Sequence, residues 1–338
     1  MLTAGLEGSG RFRRAAGGPV VAGASIKGAM QVTVKHMSNF KNWTGPELKE
    51  LLDLALRVKR NQPQYWKALD HLTLGMIFQK TSTRTRVSFE VAMTQLGGHA
   101  IYMDWRSTNL VLAEMKDEIR YLSRNVDAIM ARVLTFEQVQ EMANYSRVPV
   151  INGCDNKFHP TQALADFLTV LEHRGTLEGI NLVYVGIHNN VANSLIEGGT
   201  KLGMKITMVT PEINEASLDQ EILDEAAATG LYERTLDLPA AVAKADVVYT
   251  DTWVDMEFFM DPKFEAEKQR RIEKMLPYQL NEELLKESKA LIMHDMPIHP
   301  DYEITRGVIE HPNAVIFDQA ENRLHAEKAV LLKVLGKA

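Results

Sequence analysis

Short apolar segments of strand length alternate with helical segments along most of the chain, and this alternation limits the fold more than any other feature. The runs Leu72–Phe78, Ala128–Arg132 and Val150–Asn152 are each followed by a helical pattern, and a second series begins with Asn181–Gly186. Strands that alternate with helices pair in parallel, with helices covering both faces of the sheet. We therefore predict an α/β fold of two doubly wound domains with parallel sheets and an active-site cleft between them.

The length of 338 residues also fits about two domains. A hinge is expected at Leu177-Glu178-Gly179, which divides the chain into residues 35–176 and 177–318. Short strands at Ala290–Met293 and Val315–Phe317 are expected to end the second series, and a C-terminal helix over residues 319–338 is expected to pack back on the first domain. Residues 1–34 are rich in Gly and Ala with no helical apolar stripe, and we interpret them as a flexible leader.

Composition excludes several classes of partner. The 38 Lys and Arg against 44 Asp and Glu give a net charge of -6, which provides no general field for nucleic acid or an anionic membrane. No window approaches the roughly 20 apolar residues of a spanning helix. The single cysteine, Cys154, cannot form an intramolecular disulfide, which fits a reducing compartment and a cytoplasmic protein. Any anion site must therefore be a local group of arginines and backbone N–H groups.

Such a group occurs at Ser82-Thr83-Arg84-Thr85-Arg86, between a buried strand and a predicted helix. Hydroxyls, guanidiniums and the N–H groups at a helix start together favour a bound phosphate. The alternative is a polar loop with a helix cap. The chain lacks a GxxxxGK[ST] loop, so a P-loop nucleotide site is excluded.

Two further elements place polar groups at the same edge of the predicted sheet. Arg132 follows a buried strand, at the position where open α/β sheets bind ligands. His159 and Gln162 lie three residues apart at a helix start, with Pro160 in the first turn, and both side chains can donate to a carbonyl oxygen. A surface arginine and a capping histidine are the alternatives.

Together these elements resemble the motifs of the aspartate/ornithine carbamoyltransferase family, in order and spacing, from about Met37 onward. The resemblance includes the segment Asp318-Gln319-Ala320-Glu321-Asn322-Arg323-Leu324-His325-Ala326. It is closer to the ornithine-type branch, whose second-domain motifs are similar to Asn189-Asn190-Val191-Ala192-Asn193-Ser194, Asp251-Thr252-Trp253-Val254 and Tyr278-Gln279-Leu280-Asn281.

The resemblance implies an enzyme that transfers the carbamoyl group of carbamoyl phosphate to an amine, foremost ornithine, giving citrulline and phosphate in arginine metabolism. It implies no metal, no organic cofactor and a homotrimer or trimer-based assembly. The residues implied to bind carbamoyl phosphate are Ser82, Thr83, Arg84, Thr85, Arg132, His159, Gln162 and Arg323. Those implied to act in catalysis are Arg132, His159, Gln162, Asp295 and Arg323, and those implied to bind the second substrate are Asn190, Asp251, Asp255, Met256, Asp295 and Met296.

Three departures from the family pattern concern the second substrate. The ornithine-type branch has His-Cys-Leu-Pro where this chain has His294-Asp295-Met296-Pro297, and Asp255 and Glu257 replace the serine and glycine of a Ser-Met-Gly motif. The loop over residues 107–114 lacks the Gly-rich polar form that reaches a neighbouring active site in family trimers. Added carboxylates favour a cationic group and raise one another's pKa, although Asp251 and Asp255 fit ordinary loop carboxylates equally well.

Several alternatives remain open at this point. The acceptor is ornithine, lysine, a putrescine-like diamine or a modified ornithine, or the chain is a carbamoyl-phosphate-binding relative without turnover. A nicotinamide dehydrogenase is disfavoured because Gly186-Ile187-His188-Asn189 lacks the GxGxxG fingerprint. A metal site built from His294, His299 and nearby aspartates is disfavoured by the ligand spacing, and Cys154 is interpreted as a small apolar filler.

Overall fold

The structure, a computed structural model, describes residues 35–254 and 262–338. The strands are β1 Thr73–Phe78, β2 His99–Asp104, β3 Ala128–Arg132, β4 Val150–Cys154, β5 Asn181–His188, β6 Lys205–Ile213, β7 Tyr232–Arg234, β8 Val247–Thr250 and β9 Leu291–His294. The helices of the first half are α1 Gly45–Arg60, α2 Gln62–Tyr65, α3 Arg84–Gln95, α4 Met115–Leu122, α5 Phe136–Tyr145 and α6 Pro160–Arg174. Those of the second half are α7 Asn190–Lys201, α8 Gln220–Ala228, α9 Leu238–Val242, α10 Glu265–Met275, α11 Glu282–Leu285, α12 Arg306–Ile309 and α13 Ile316–Val334.

The strands form two sheets in which all the strand pairs are parallel, as predicted. The first has the order β2-β1-β3-β4 and the second the order β7-β6-β5-β8-β9. In each sheet the chain reverses its direction of winding at one pair of strands, β1 with β3 and β5 with β8. Ligands of open α/β sheets bind beyond the carboxyl ends of such pairs, so the topology marks two neighbouring positions for a site.

Local sequence signals explain how the elements around these positions start and stop. Thr44 and Glu47 form a capping box at the start of α1, which buries Leu48, Leu51, Leu52, Leu54, Ala55 and Val58. Helix α6 begins with Pro160 and ends at Gly175, whose φ of 76° is the left-handed conformation of a helix C-terminus. The strands next to the site are almost entirely buried, as expected for sheets covered on both faces.

The long helix α13 packs against α6, α1 and α3, and it also touches β9. One apolar core accordingly includes Leu51 of α1, Phe89 of α3, Phe167 of α6 and Leu331 of α13. The last helix of the described chain is therefore part of the core beside the first sheet. It carries Arg323 into the same region as α3.

The predicted strand Val315–Phe317 is wrong. Val315 immediately precedes α13, and its carbonyl oxygen accepts the helical hydrogen bond from Gln319. The helix begins at Ile316, three residues earlier than predicted. The pairing nearby is a single bridge between Ile292 and Ala314. Three successive apolar residues fit a short strand and a buried helix start equally well. The spacing of apolar residues therefore could not distinguish a strand from a helix here.

The predicted leader over residues 1–34 lies outside the described residues. In the part of the chain that the structure describes, no helix has the length and apolar character needed to cross a membrane.

Candidate active site

A pocket lies where the carboxyl ends of β1, β3, β5 and β8 approach one another. The predicted residues that line it are Ser82, Thr83, Arg84, Thr85, Arg132, His159, Asn190, Asp251, Asp295, Met296 and Arg323. It also contains Lys80, Cys154 and Asn189, to which the sequence assigned no ligand role. Residues that are far apart in the chain, from Ser82 to Arg323, thus share one cavity.

Three guanidinium groups converge on one side of this pocket. Arg323 Nη2 donates to Thr85 Oγ1 at 2.5 Å, and Arg132 Nη1 donates to the same oxygen at 3.4 Å. Burial and the neighbouring Arg323 lower the pKa of Arg84 from its usual value, and burial also lowers that of Arg323. The buried Nε atoms of all three arginines find no hydrogen-bond partner among the described residues. Converging cations with unused donors are the groups that favour a phosphate-sized anion.

The start of α3 completes this side of the pocket. Thr83 occupies the position before the helix, and its side chain makes no capping hydrogen bond. The N-terminal N–H groups of a helix attract an anion when no side chain satisfies them. The structure therefore favours the phosphate interpretation of Ser82–Arg86 over a simple capped loop.

His159 faces the same guanidiniums from the start of α6. It is 4% exposed, and its side chain does not cap the helix, so the capping alternative is wrong. Burial, then Arg323, Arg132 and Arg84, lower the pKa of His159 well below its usual value. The imidazole is therefore neutral at pH 7, with one ring nitrogen protonated. Its Nδ1 has no partner among the described residues, so the ring retains hydrogen-bonding capacity for a ligand.

Gln162, one helical turn later, is oriented by a residue that the sequence analysis did not assign. Its Nε2 donates to Asp166 Oδ1 at 2.8 Å, and its buried Oε1 has no partner in the described parts of the chain. Gln162 is not among the residues that line the pocket, and the expectation that it donates to a carbonyl oxygen stays a prediction. The i,i+4 spacing of Gln162 and Asp166 was the available sequence signal.

Asp166 joins three parts of the molecule. In addition to Gln162 it accepts hydrogen bonds from Gln319 Nε2 of α13 at 2.7 Å and from Tyr249 Oη of β8 at 3.1 Å. Burial raises its pKa to about 7, against the lowering effect of these three donors. The position of Gln162 therefore depends on contacts among α6, α13 and β8 of the second sheet.

Two carboxyl groups occupy the opposite side of the pocket. Asp251, directly after β8, accepts from the N–H of Thr252 and from Nδ2 of Asn189, each at 2.6 Å. Asp295 follows β9, and its buried Oδ1 has no hydrogen-bond partner among the described residues, although His294 Nδ1 lies 3.7 Å away. Burial and then the adjacent Asp251 raise the pKa of Asp295 well above its usual value. Two carboxyl groups this close disfavour the ionised form of Asp295.

Two other residues predicted to bind the acceptor, Asn190 and Met296, line the pocket. Asn190 Nδ2 donates to the carbonyl oxygen of Asp155 at 2.6 Å and to Cys154 Sγ at 3.2 Å, so its amide contacts the pocket wall. Met296 lies in the loop after β9, and its carbonyl oxygen accepts from Arg84. Asp255 and Met256 lie outside the described residues.

Histidine and carboxylate side chains beneath the Asp295 loop hold its backbone. His294 Nε2 lies 2.9 Å from Glu303 Oε1, and His294 Nδ1 accepts from the N–H of Met296 at 2.9 Å. The His299 N–H donates to the same Glu303 oxygen at 2.7 Å.

Within residues 35–254 and 262–338, no group of three His, Cys, Asp or Glu side chains is arranged to hold a metal ion.

Comparisons with known proteins agree with this geometry. Residues 35–172 match the carbamoyl-P binding domain of aspartate/ornithine carbamoyltransferases, and residues 178–334 match the Asp/Orn binding domain. An ornithine carbamoyltransferase of Archaeoglobus fulgidus is 46% identical over 310 residues, covering 90% of this chain and 98% of that protein. The anabolic enzyme of Pyrococcus furiosus is 45% identical over 306 residues, covering 88% and 95%.

Solved structures show the same relationship. An ornithine carbamoyltransferase from Pyrococcus furiosus superposes with a TM-score of 0.83 at 44% identity, covering 90% of this chain and 97% of that one. An N-acetyl-L-ornithine transcarbamylase superposes with a TM-score of 0.77 at 31% identity, covering 89% and 99%. Both domains and the order of the site residues lead to one conclusion: this chain is a member of the aspartate/ornithine carbamoyltransferase family.

Proposed function

We propose that this protein transfers the carbamoyl group of carbamoyl phosphate to the side-chain amine of ornithine, giving citrulline and phosphate. The observation that carries the proposal is the pocket itself, in which three guanidiniums face the neighbouring carboxyl groups of Asp251 and Asp295. The first set suits a dianionic carbamoyl donor and the second a basic acceptor. The relatives named above, which are ornithine carbamoyltransferases at 45–46% identity, support ornithine as that acceptor.

In this proposal the first domain, residues 35–176, binds carbamoyl phosphate. The start of α3, with Ser82, Thr83, Arg84 and Thr85, holds the phosphate, and Arg132 bridges the phosphate and the carbonyl oxygen. The match of the carbamoyl-P domain to residues 35–172 supports this division. The second domain, residues 177–318, supplies the acceptor side through Asn190, Asp251, Asp295 and Met296, and α13 brings Arg323 back to the first.

The chemistry relies on electrostatics and position. The neutral amine attacks the carbamoyl carbon, the new C–N bond forms, and negative charge develops on the carbonyl oxygen. Arg132, Arg323 and the protonated nitrogen of His159 act as donors to that oxygen, whereas Gln162 Oε1 accepts from the carbamoyl NH₂ group. The C–O bond to phosphate then breaks, and the departing phosphate takes the amine proton. The pocket thereby holds the reacting groups together.

A direct assay tests the proposal. We would incubate the purified protein with carbamoyl phosphate and ornithine and measure phosphate release together with the ureido product. Ornithine-dependent formation of equal amounts of citrulline and phosphate is expected. Tight carbamoyl phosphate binding with no phosphate release for any amine would instead identify a binding protein without turnover.

One observation favours a second candidate, a modified or different amine acceptor. Asp295 stands where the ornithine-type branch has a cysteine, and its carboxyl group is buried beside Asp251. The structural similarity to an N-acetyl-L-ornithine transcarbamylase shows that the same fold occurs in a protein named for a modified ornithine. The assay therefore includes lysine, putrescine, acylated ornithines and aspartate, and the largest kcat/KM identifies the acceptor.

The assembly and cellular setting are part of the same proposal. Family membership supports a homotrimer or a trimer-based oligomer, and the single cysteine together with the citrulline-forming reaction supports a cytoplasmic role in arginine metabolism. Sedimentation equilibrium checks the assembly, for which three times the chain mass of 38.0 kDa is expected.

A further inference from the structure

Glu327 is a fully buried carboxyl group directly behind the guanidinium side of the pocket. It lies on α13, its exposed fraction is 0%, and neither side-chain oxygen has a hydrogen-bond partner among the described residues. Its Oε1 is 4.0 Å from Nη2 of Arg323, one helical turn earlier. The reaction proposed above does not use this group, and a buried carboxylate without partners is costly.

Arg323 points toward the pocket and away from Glu327. The same Nη2 that is 4.0 Å from Glu327 is 2.5 Å from Thr85 Oγ1. The Ser88 hydroxyl of α3 is adjacent to Glu327, but it donates to the carbonyl oxygen of Arg84 at 2.8 Å. The 4.0 Å separation from Glu327 is about 1 Å longer than a direct charge-assisted hydrogen bond.

The other charged groups near this part of α13 are already paired. Lys59 of α1 and Glu172 of α6 form an ion pair at 3.0 Å, and Lys59 also donates to Asn322. Asp166 of α6 accepts from Gln162, Gln319 and Tyr249. Lys328, the next residue of α13, donates to Gln95 Oε1, and burial lowers its pKa to about 8. Arg323 is the ion-pair neighbour that the structure records for Glu327, and Ser88 is its polar neighbour. Burial, opposed by Arg323 and Ser88, raises the pKa of Glu327 to about 8.

We propose that Glu327 is a positioning residue that controls how much of the charge of Arg323 is available to carbamoyl phosphate. While Glu327 is protonated, Arg323 keeps its full charge and its contact with Thr85 at the pocket. When Glu327 ionises, it pairs with Arg323, turns the guanidinium away from Thr85 and weakens the binding of the anionic substrate. This inference rests on the proposed function only in taking carbamoyl phosphate as the ligand of the pocket.

The test is calorimetric binding of carbamoyl phosphate without an acceptor, from pH 6.5 to pH 9.5, for the wild type and Glu327→Gln. A phosphate monoester is already a dianion over most of this range. If carbamoyl phosphate binds only while Glu327 is protonated, the wild-type Kd rises about tenfold at one pH unit above the pKa of Glu327. The Kd of Glu327→Gln, which cannot ionise, is expected to change by less than about twofold over the same range.

A matched control and a second measurement separate this role from a structural one. Glu197 is also a buried glutamate, but it accepts from the Phe40 N–H and lies outside the pocket, so Glu197→Gln should keep the wild-type pH dependence. In the wild type alone, titration in buffers of different ionisation enthalpy should show the uptake of nearly one proton on binding above pH 8. The second measurement does not depend on the folding of any variant.

The possible results are distinct. Identical pH dependence in the wild type and Glu327→Gln, or no proton uptake above pH 8, would overturn the role of Glu327. Failure of carbamoyl phosphate to bind at any pH would instead overturn the proposed function. The amine acceptor is absent from these titrations, so a wrong assignment of the acceptor would change neither result.

Discussion

Arg84 Nη2 donates a hydrogen bond of 2.9 Å to the carbonyl oxygen of Met296, and so joins the two sides of the pocket. Arg84 begins α3 beside the first sheet, whereas Met296 belongs to the loop after β9 of the second. A phosphate bound at α3 competes for this guanidinium. Its binding is therefore expected to release the Met296 carbonyl for the acceptor, which gives a physical reason for carbamoyl phosphate to bind first.

Arg84→Ala tests the phosphate cradle. We expect the Kd for carbamoyl phosphate to increase by roughly 100-fold, because a charge-assisted contact worth a few kcal/mol is lost. Calorimetry without an acceptor provides the measurement. Arg86→Ala is the matched control, since Arg86 is paired with Glu90 and stacked on Tyr102. Unchanged affinity in Arg84→Ala would remove Arg84 from the phosphate site.

Asp295→Cys tests the acceptor side. If the buried pair of carboxyl groups selects the amine, this variant should shift the ratio of kcat/KM values toward ornithine by about tenfold relative to the other amines. Steady-state kinetics with the acceptor panel gives the ratio. Affinity for carbamoyl phosphate should change little, and an unaltered ratio would show that Asp295 does not determine the acceptor.

Asp166→Asn tests the orientation of Gln162. The asparagine keeps the shape of the side chain but has one acceptor oxygen in place of two. It therefore cannot accept from Gln162, Gln319 and Tyr249 as Asp166 does. We expect kcat to fall by roughly 5-fold to 100-fold, equivalent to about 1–3 kcal/mol for a buried group left without its partner. The Kd for carbamoyl phosphate should change less than kcat. If kcat stays at the wild-type value, Gln162 does not depend on Asp166.

The sequence predicted the main parts of this pocket because of one geometric rule. Ser82–Arg86, Arg132, Asn190 and Asp251 all follow strands, and the carboxyl ends of parallel strands meet at one edge. Arg323 is different, since its contact with Thr85 depends on how α13 docks across α3, which no local pattern encodes. Its place in the pocket was anticipated through the family resemblance alone.

Orientation was harder to predict than position. The pattern around Gln162 indicates a polar tip at a helix start, but the direction of its amide depends on Asp166, Gln319 and Tyr249, which approach from three elements. The role of Asn189 was missed for a similar reason, although an Asn before a helix is a common N-cap. The roles of Asp255 and Met256 stay predictions.

Buried carboxyl groups also predict how stability varies with pH. Burial raises the pKa of Glu197 from 4.5 to about 7, so the folded state binds its proton more tightly than the unfolded state. The stability from this group is complete below pH 4.5 and is lost as the pH rises to about 7. Relative to the wild type, Glu197→Gln should therefore gain up to about 3 kcal/mol in unfolding free energy between pH 5 and pH 8. Urea denaturation at both values checks this, and a parallel pH dependence in both proteins would contradict it.

Gly198→Ala tests the packing of α7 on α6. A Cβ at Gly198 would lie 2.6 Å from Cε2 of Phe167 and 2.9 Å from the ring of Phe40. Such overpacking is expected to cost about 1–3 kcal/mol of unfolding free energy. Gly75→Ala, whose added Cβ has its nearest neighbour at 3.4 Å, is the control and should cost less. Equal stability losses in the two variants would contradict the packing argument.

The place of α13 in the chain has a consequence for synthesis on the ribosome. This helix packs on α1, α3 and α6 and brings Arg323 to Thr85, yet it is translated after every strand of the second sheet. At about 5–20 residues per second, α13 is synthesised several seconds or more after the first sheet. The carbamoyl phosphate site of the nascent chain therefore lacks Arg323 until α13 has left the exit tunnel.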